Sequence, residues 1–145
     1  MSQGEVKSDE VNGMSYKVFI SASSKDNDLA QDLVHRLEKA GVKVSWFKLR
    51  VSAGENAAID VNRGLREADE VIVLLTDHSI HSPRVIFEMG AASGLHKRVT
   101  PIVVGVEAEE LPPMVRQRQY VRYADLHDYI ADLERRAKAP ELQPA

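Results

Sequence analysis

The stretch Val71 to Val104, VIVLLTDHSIHSPRVIFEMGAASGLHKRVTPIVV, decides the fold. Its first five residues, Val71 to Leu75, form an unbroken apolar run bounded by polar residues, the pattern of a strand buried on both faces. Ser82 is a ready N-cap and Pro83 suits the first helical position, where a missing N–H costs nothing. The sequence therefore predicts a helix from Pro83 to about His96, followed by a strand over Val99 to Val104. Thr76 to Ser82 becomes a loop at the end of a buried strand. Inside the predicted helix, Glu88 is the only acid among apolar and small residues from Pro83 to Leu95. Acids are rarely buried unless paired, and one desolvated near a cleft is a candidate for chemistry.

Outward from this unit, short apolar runs alternate with amphipathic ones, the signature of repeated βαβ units. Tyr16 to Ile20 reads as the first strand. Leu29, Leu33, Leu37 and Ala40 mark a helix over Asp28 to Ala40, stopped by Gly41. Val42 to Trp46 alternates apolar and polar side chains, as a short strand near a sheet edge would. The loop Phe47 to Asn56 follows, with Gly54 permitting a turn. Ala58, Val61, Leu65 and Ala68 predict a second helix, in which Gly64 permits close packing. After the fourth strand, the acidic, Pro-containing region Gly105 to Pro113 reads as loop. A short fifth strand is expected around Tyr120 to Arg122, and Leu126, Tyr129, Ile130 and Leu133 mark a final amphipathic helix. Residues 1–14 read as a flexible leader, 15–138 as one domain and 139–145 as a disordered tail. The fold expected is α/β, a flavodoxin-like doubly wound five-stranded parallel sheet with helices on both faces. Such sheets bind ligands beyond the carboxyl ends of their strands, where the strand order reverses. That places the loops Ser21 to Asn27, Phe47 to Asn56 and Thr76 to Ser82 at one crevice.

At 145 residues the chain is long enough for a single core. With no cysteine, disulfides and thiolate metal sites are excluded. No apolar run is long enough to span a bilayer and the first residues lack a secretion-signal core, so a membrane partner is not expected and a cytoplasmic location is. The formal net charge of −3, with both signs interspersed, gives no stripe for general nucleic-acid binding.

Each candidate residue carries two readings. Glu88 is either a catalytic carboxylate or a structural one, paired with Arg84 one helical turn before it. Arg84 is a phosphate contact or a solvated side chain. Ser21, Ser23 and Ser24 can approach a pyrophosphate, or simply form a polar turn. Trp46, the only tryptophan, is a core residue or a stacking platform. His78 and His81 lie three apart in the loop, but without a further ligand in view they read as solvated, and no metal is expected. Gly90 and Gly94 suit close packing, including packing between subunits. No GxGxxG, P-loop or nucleophile elbow occurs.

Val18-Phe19-Ile20-Ser21, followed by Ser23, Ser24, Lys25 and Asp26, resembles the opening of a TIR (Toll/interleukin-1 receptor-like) domain. Val51-Ser52-Ala53-Gly54-Glu55 resembles that family's BB loop. Ile72 to Thr76, then Ser79, Ser82 and Glu88, then Lys97 to Ile102, resemble its third strand, serine-bearing loop, glutamate helix and fourth strand. The resemblance covers about residues 16–133. Ala22, Arg84, and Phe47 or Lys48 depart from the family pattern, which has aromatics at the first two positions and often an acid at the third. Trp46 and Phe47 stand as substitutes for the missing aromatics.

The resemblance implies cleavage of the nicotinamide–ribose N-glycosidic bond of NAD+, as substrate and not cofactor, giving ADP-ribose or a cyclic ADP-ribose signal. Nicotinamide leaves as a neutral base, so no general acid is required, and one anion can stabilise the oxocarbenium-like transition state and anchor the ribose hydroxyls. Glu88 would be that anion, with Ser21, Ala22, Ser23, Trp46, Phe47, Gly54, Ser79, Ser82 and Arg84 lining the substrate site. The resemblance also implies self-association or contact with other TIR domains, in the style of bacterial antiviral signalling. Two alternatives stand: a non-enzymatic TIR interaction module working through the BB-like loop, and an enzyme similar to nucleoside 2-deoxyribosyltransferases, suggested by Glu88-Met89-Gly90-Ala91-Ala92 and Lys97 to Ile102.

Overall fold

Strand β3, Glu70–Leu75, is buried at every position, because helices cover both faces of the sheet and alternate side chains enter two separate cores. The structure, a computed structural model, describes residues 16–46 and 63–138. The expected leader, tail, loop Phe47 to Asn56 and first half of the second helix lie outside them.

Before β3 come β1 (Lys17–Ser21), α1 (Asn27–Lys39), β2 (Lys43–Trp46) and α2, described over 63–67. After it come α3 (Pro83–Gly94), β4 (Arg98–Val103), the short α4 (Pro113–Arg116), β5 (Val121–Arg122) and α5 (Leu126–Lys138). All strand pairs are parallel, in the order β2-β1-β3-β4-β5. This is the expected flavodoxin-like sheet, with its switch in strand order between β1 and β3. The alternating β2 lies at the edge.

Period-two alternation sorts the core. Val18, Ile20, Ile72, Leu74 and Ile102 pack with Ala30, Leu33 and Leu37 of α1 and with Leu126, Tyr129, Leu133 and Ala137 of α5. Phe19, Val71, Val73, Leu75 and Val103 pack on the other face with Leu65 of α2, Val85, Met89 and Ala92 of α3, and Val115 of α4. Both α1 and α3 end in the same backbone motif, the residue three past the helix donating back to its third-last position: Val42 N–H to the Leu37 carbonyl, and Lys97 N–H to the Ala92 carbonyl. Gly41 supplies the left-handed residue in one, and His96, with φ of 60°, in the other.

Two elements differ from expectation. The stretch after Gly105 contains α4, whose Val115, together with Leu111, is buried against the α3 face of the sheet. Strand β3 also begins one residue earlier, which brings Glu70 into the ladder opposite Arg98.

Glu70 is fully buried at the amino end of the sheet. Its carboxylate accepts from Tyr16 Oη at 2.9 Å, Thr100 Oγ1 at 2.9 Å, Arg136 Nη2 at 2.9 and 3.0 Å, and the Tyr129 hydroxyl. Burial, and then the Glu70 charge, push the Tyr16 hydroxyl up to about 12, and Tyr129 is raised for the same reasons. For a raised group, stability is fully present below the ordinary value of 10.0 and is lost as pH rises through about 12. Tyr16→Phe should lower stability near neutrality by about 1 kcal/mol, through the lost hydrogen bond. It should also flatten the alkaline decline without abolishing it, since Tyr129 is shifted in the same direction. Urea unfolding of both proteins as a function of pH reads this out, and an unchanged alkaline slope would remove Tyr16 from the network.

Gly64 packs its bare Cα against the Phe19 ring, where an added Cβ would overlap ring atoms Cε1 and Cδ1. Gly64→Ala should cost about 1–3 kcal/mol in chemical unfolding. Trimming the ring with Phe19→Leu in the same chain should make the alanine less costly than it is alone.

Candidate active site

The site is built at the switch point by the ends of β1 and β3 and the start of α3. Ser21, the last residue of β1, pairs in register with Val73 of β3 and shares the parity of Phe19, which faces α3. The Ser82 hydroxyl caps α3 by accepting from Val85 N–H at 3.3 Å, with Pro83 in the first turn. Arg84 and Glu88 follow at i and i+4, one above the other on the same helical face.

Glu88 is 2 % exposed. The Ser21 hydroxyl donates to its Oε1, and Arg84 Nη1 donates to its Oε2 at 2.9 Å. Arg84 Nη2 donates to the Ala22 carbonyl at 2.7 Å. One guanidinium thus spans the carboxylate and the turn after β1. A carboxylate paired with a guanidinium and a hydroxyl where β1 ends has the chemistry needed to stabilise a cationic sugar centre.

Beside it, a second cluster ties the loops after β1 and β3 together. Buried Asp26 accepts from Thr76 Oγ1 at 2.7 Å and lies 2.9 Å from His78 Nδ1. Thr76 Oγ1 in turn accepts from His78 N–H, and Ser79 Oγ accepts from Thr76 N–H while donating to the Leu74 carbonyl, each at 3.0 Å. Asp26 belongs to the Ser23 to Asp26 run of the opening motif, but its role as anchor was not read from the sequence. The only signal was an acid ending that run.

Of the residues expected to line the site, Ser21, Ala22 and Arg84 gather around Glu88. Ser23 caps a short helical turn through Lys25 N–H at 3.2 Å, and the Ser79 and Ser82 hydroxyls are engaged in the loop and helix cap just described. Trp46 ends edge strand β2 opposite Ile20 and packs on the α1 and α5 side of the sheet, so β1 separates it from β3. Phe47 and Gly54 lie outside the described residues. His81 is exposed, and among the described residues no group of three acids or histidines could hold a metal ion. No helix among them is long and apolar enough to cross a membrane.

Comparison with known proteins agrees with this architecture. The TIR domain of the Toll-related receptor TRR-2 from Hydra magnipapillata superposes with a TM-score of 0.67 at 20 % identity, covering 86 % of this chain and 99 % of that one. Clostridium botulinum CMP N-glycosidase BcmB gives 0.59 at 20 % identity, covering 81 % and 98 %. The TIR domains of the activated Roq1 resistosome give 0.55 at 15 % identity, covering 86 % and 85 %. At these identities the likeness is one of fold. No functionally curated protein matches the chain in sequence. The family model for the TIR domain matches residues 18–137, from the first strand to the end of the last helix, and the chain belongs to the TIR domain family.

Proposed function

We propose that this chain is an NAD+ nucleosidase of TIR type, with Glu88 as its catalytic carboxylate. The observation that carries this reading is a buried acid at the β1/β3 switch point, held by a strand-end hydroxyl and a mobile type of side chain rather than by a full set of fixed donors. In the proposed reaction the bond from ribose C1′ to the nicotinamide nitrogen breaks, and its electron pair leaves with the ring, which becomes neutral. Glu88 stabilises the oxocarbenium-like sugar and accepts from the ribose hydroxyls. Water then adds to C1′ and releases a proton, giving ADP-ribose. Attack by an adenine nitrogen of the same molecule gives the cyclic product instead.

Family membership supports this reading, as does the fold shared with a CMP N-glycosidase, an enzyme named for cleaving an N-glycosidic bond. The resistosome neighbour supports action within an assembly of TIR domains. A role in bacterial immune signalling in the cytoplasm completes the proposal. One observation favours a second reading, the interaction module: among the described residues the exposed large apolar side chains, Ile86, Phe87 and Leu95, all lie on α3 or at its end.

Chromatography of NAD+ incubated with concentrated protein, with assembly measured in the same samples, separates the two. The enzyme reading expects nicotinamide release, reduced roughly a hundredfold or more in Glu88→Ala. Intact NAD+ in an assembled wild-type sample would leave the interaction module. Base exchange on deoxynucleosides would instead indicate the deoxyribosyltransferase-like reaction.

A further inference from the structure

We propose that Arg84 is a latch on Glu88 that a substrate's pyrophosphate opens, making Arg84 the residue that selects phosphate-bearing substrates. This rests on the nucleosidase reading. Both carboxylate oxygens of Glu88 are engaged, one by Ser21 and one by Arg84, and the group is 2 % exposed. Each oxygen could accept further hydrogen bonds, but a carboxylate this buried has no open side for ribose hydroxyls or C1′ until one partner withdraws. Ser21 is fixed in the β1 ladder and buried. Arg84 is the partner able to move: its side chain is 39 % exposed, on a long stem.

Withdrawal breaks two charge-assisted contacts, to Glu88 and to the Ala22 carbonyl. A planar guanidinium fork matches phosphate oxygens as well as it matches carboxylate. The pyrophosphate of a dinucleotide is an anion that arrives together with the ribose, so it can take over the guanidinium as the sugar takes over the carboxylate. Removing the cation from Glu88 also restores the negative potential that a cationic nicotinamide riboside unit requires. Nicotinamide riboside, which has no phosphate, offers nothing in exchange and leaves the latch shut.

Inorganic pyrophosphate titrated into the full chain, followed by calorimetry and by the Arg84 guanidinium NMR signal, tests the exchange without any turnover. Arg84→Met should weaken binding about tenfold or more, the scale of a charge-assisted contact. Glu88→Gln should bind several-fold more tightly than wild type, because the competing anion is gone. Binding that is equal or weaker in Glu88→Gln, or no binding to the wild-type chain, would overturn the latch. For turnover, Arg84→Met should reduce the preference for NAD+ over nicotinamide riboside about tenfold, by improving the riboside. An unchanged preference in an active variant also overturns the latch. The expected binding pattern without NAD+ turnover in assembled protein would leave the latch standing and defeat the nucleosidase reading instead.

Discussion

A strand buried on both faces leaves room for polar groups only at its ends, and the polar architecture of this domain follows from that constraint on β3. Each end of the strand has a buried carboxylate near it. At the amino end, Glu70 is surrounded by donors from Tyr16, Thr100, Tyr129 and Arg136, drawn from β4, α5 and the residue before β1. Such a group is satisfied internally, and losing its one cationic partner, Arg136, costs about 3–5 kcal/mol, more than losing a neutral donor. At the carboxyl end, Glu88 has two side-chain partners, one of them partly in solvent. Burial alone does not distinguish the two acids. The number and mobility of their partners does.

Much of this fold was legible in the residues. Fully buried parallel strands read as unbroken apolar runs, so β1, β3 and β4 stood out, and Ser82-Pro83 marked the start of α3 because capping is local chemistry. Glu70 was not legible. An acid directly before the apolar run reads as its boundary, and its partners Tyr16 and Arg136 lie 54 and 66 residues away in the chain. Asp26 escaped for the same reason, since Thr76 is 50 residues distant. Four-residue α4 was too short to show a helical period. Around the candidate site, Glu88 was legible as an isolated acid and Arg84 as its i−4 neighbour. That the same guanidinium also grips the Ala22 carbonyl, 62 residues away in the chain, could come only from the tertiary structure.

Arg84 departs from the aromatic that the family resemblance implies at its position, and the difference between the two side chains is chiefly electrostatic. An aromatic ring offers a stacking face and leaves the neighbouring carboxylate's charge intact. A guanidinium nearly cancels that charge while it stays in place, and becomes a free cation when displaced. The nearby Asp26–Thr76–His78 cluster fixes the two loops against each other, which lets a side-chain movement at Arg84 occur without movement of the strand ends.

The alternation of β3 gives Glu70 one more consequence, in how the chain finds its register. Even-numbered positions of the strand face α1 and α5, and odd-numbered ones face α3. A slip by one residue would turn the carboxylate away from Tyr129 and Arg136 and into the apolar cluster of the opposite face. The hydrophobic residues themselves, Val71 to Leu75, are nearly interchangeable between the two faces and discriminate poorly against such a slip. The buried charge therefore acts as the registration mark of an otherwise uniform strand.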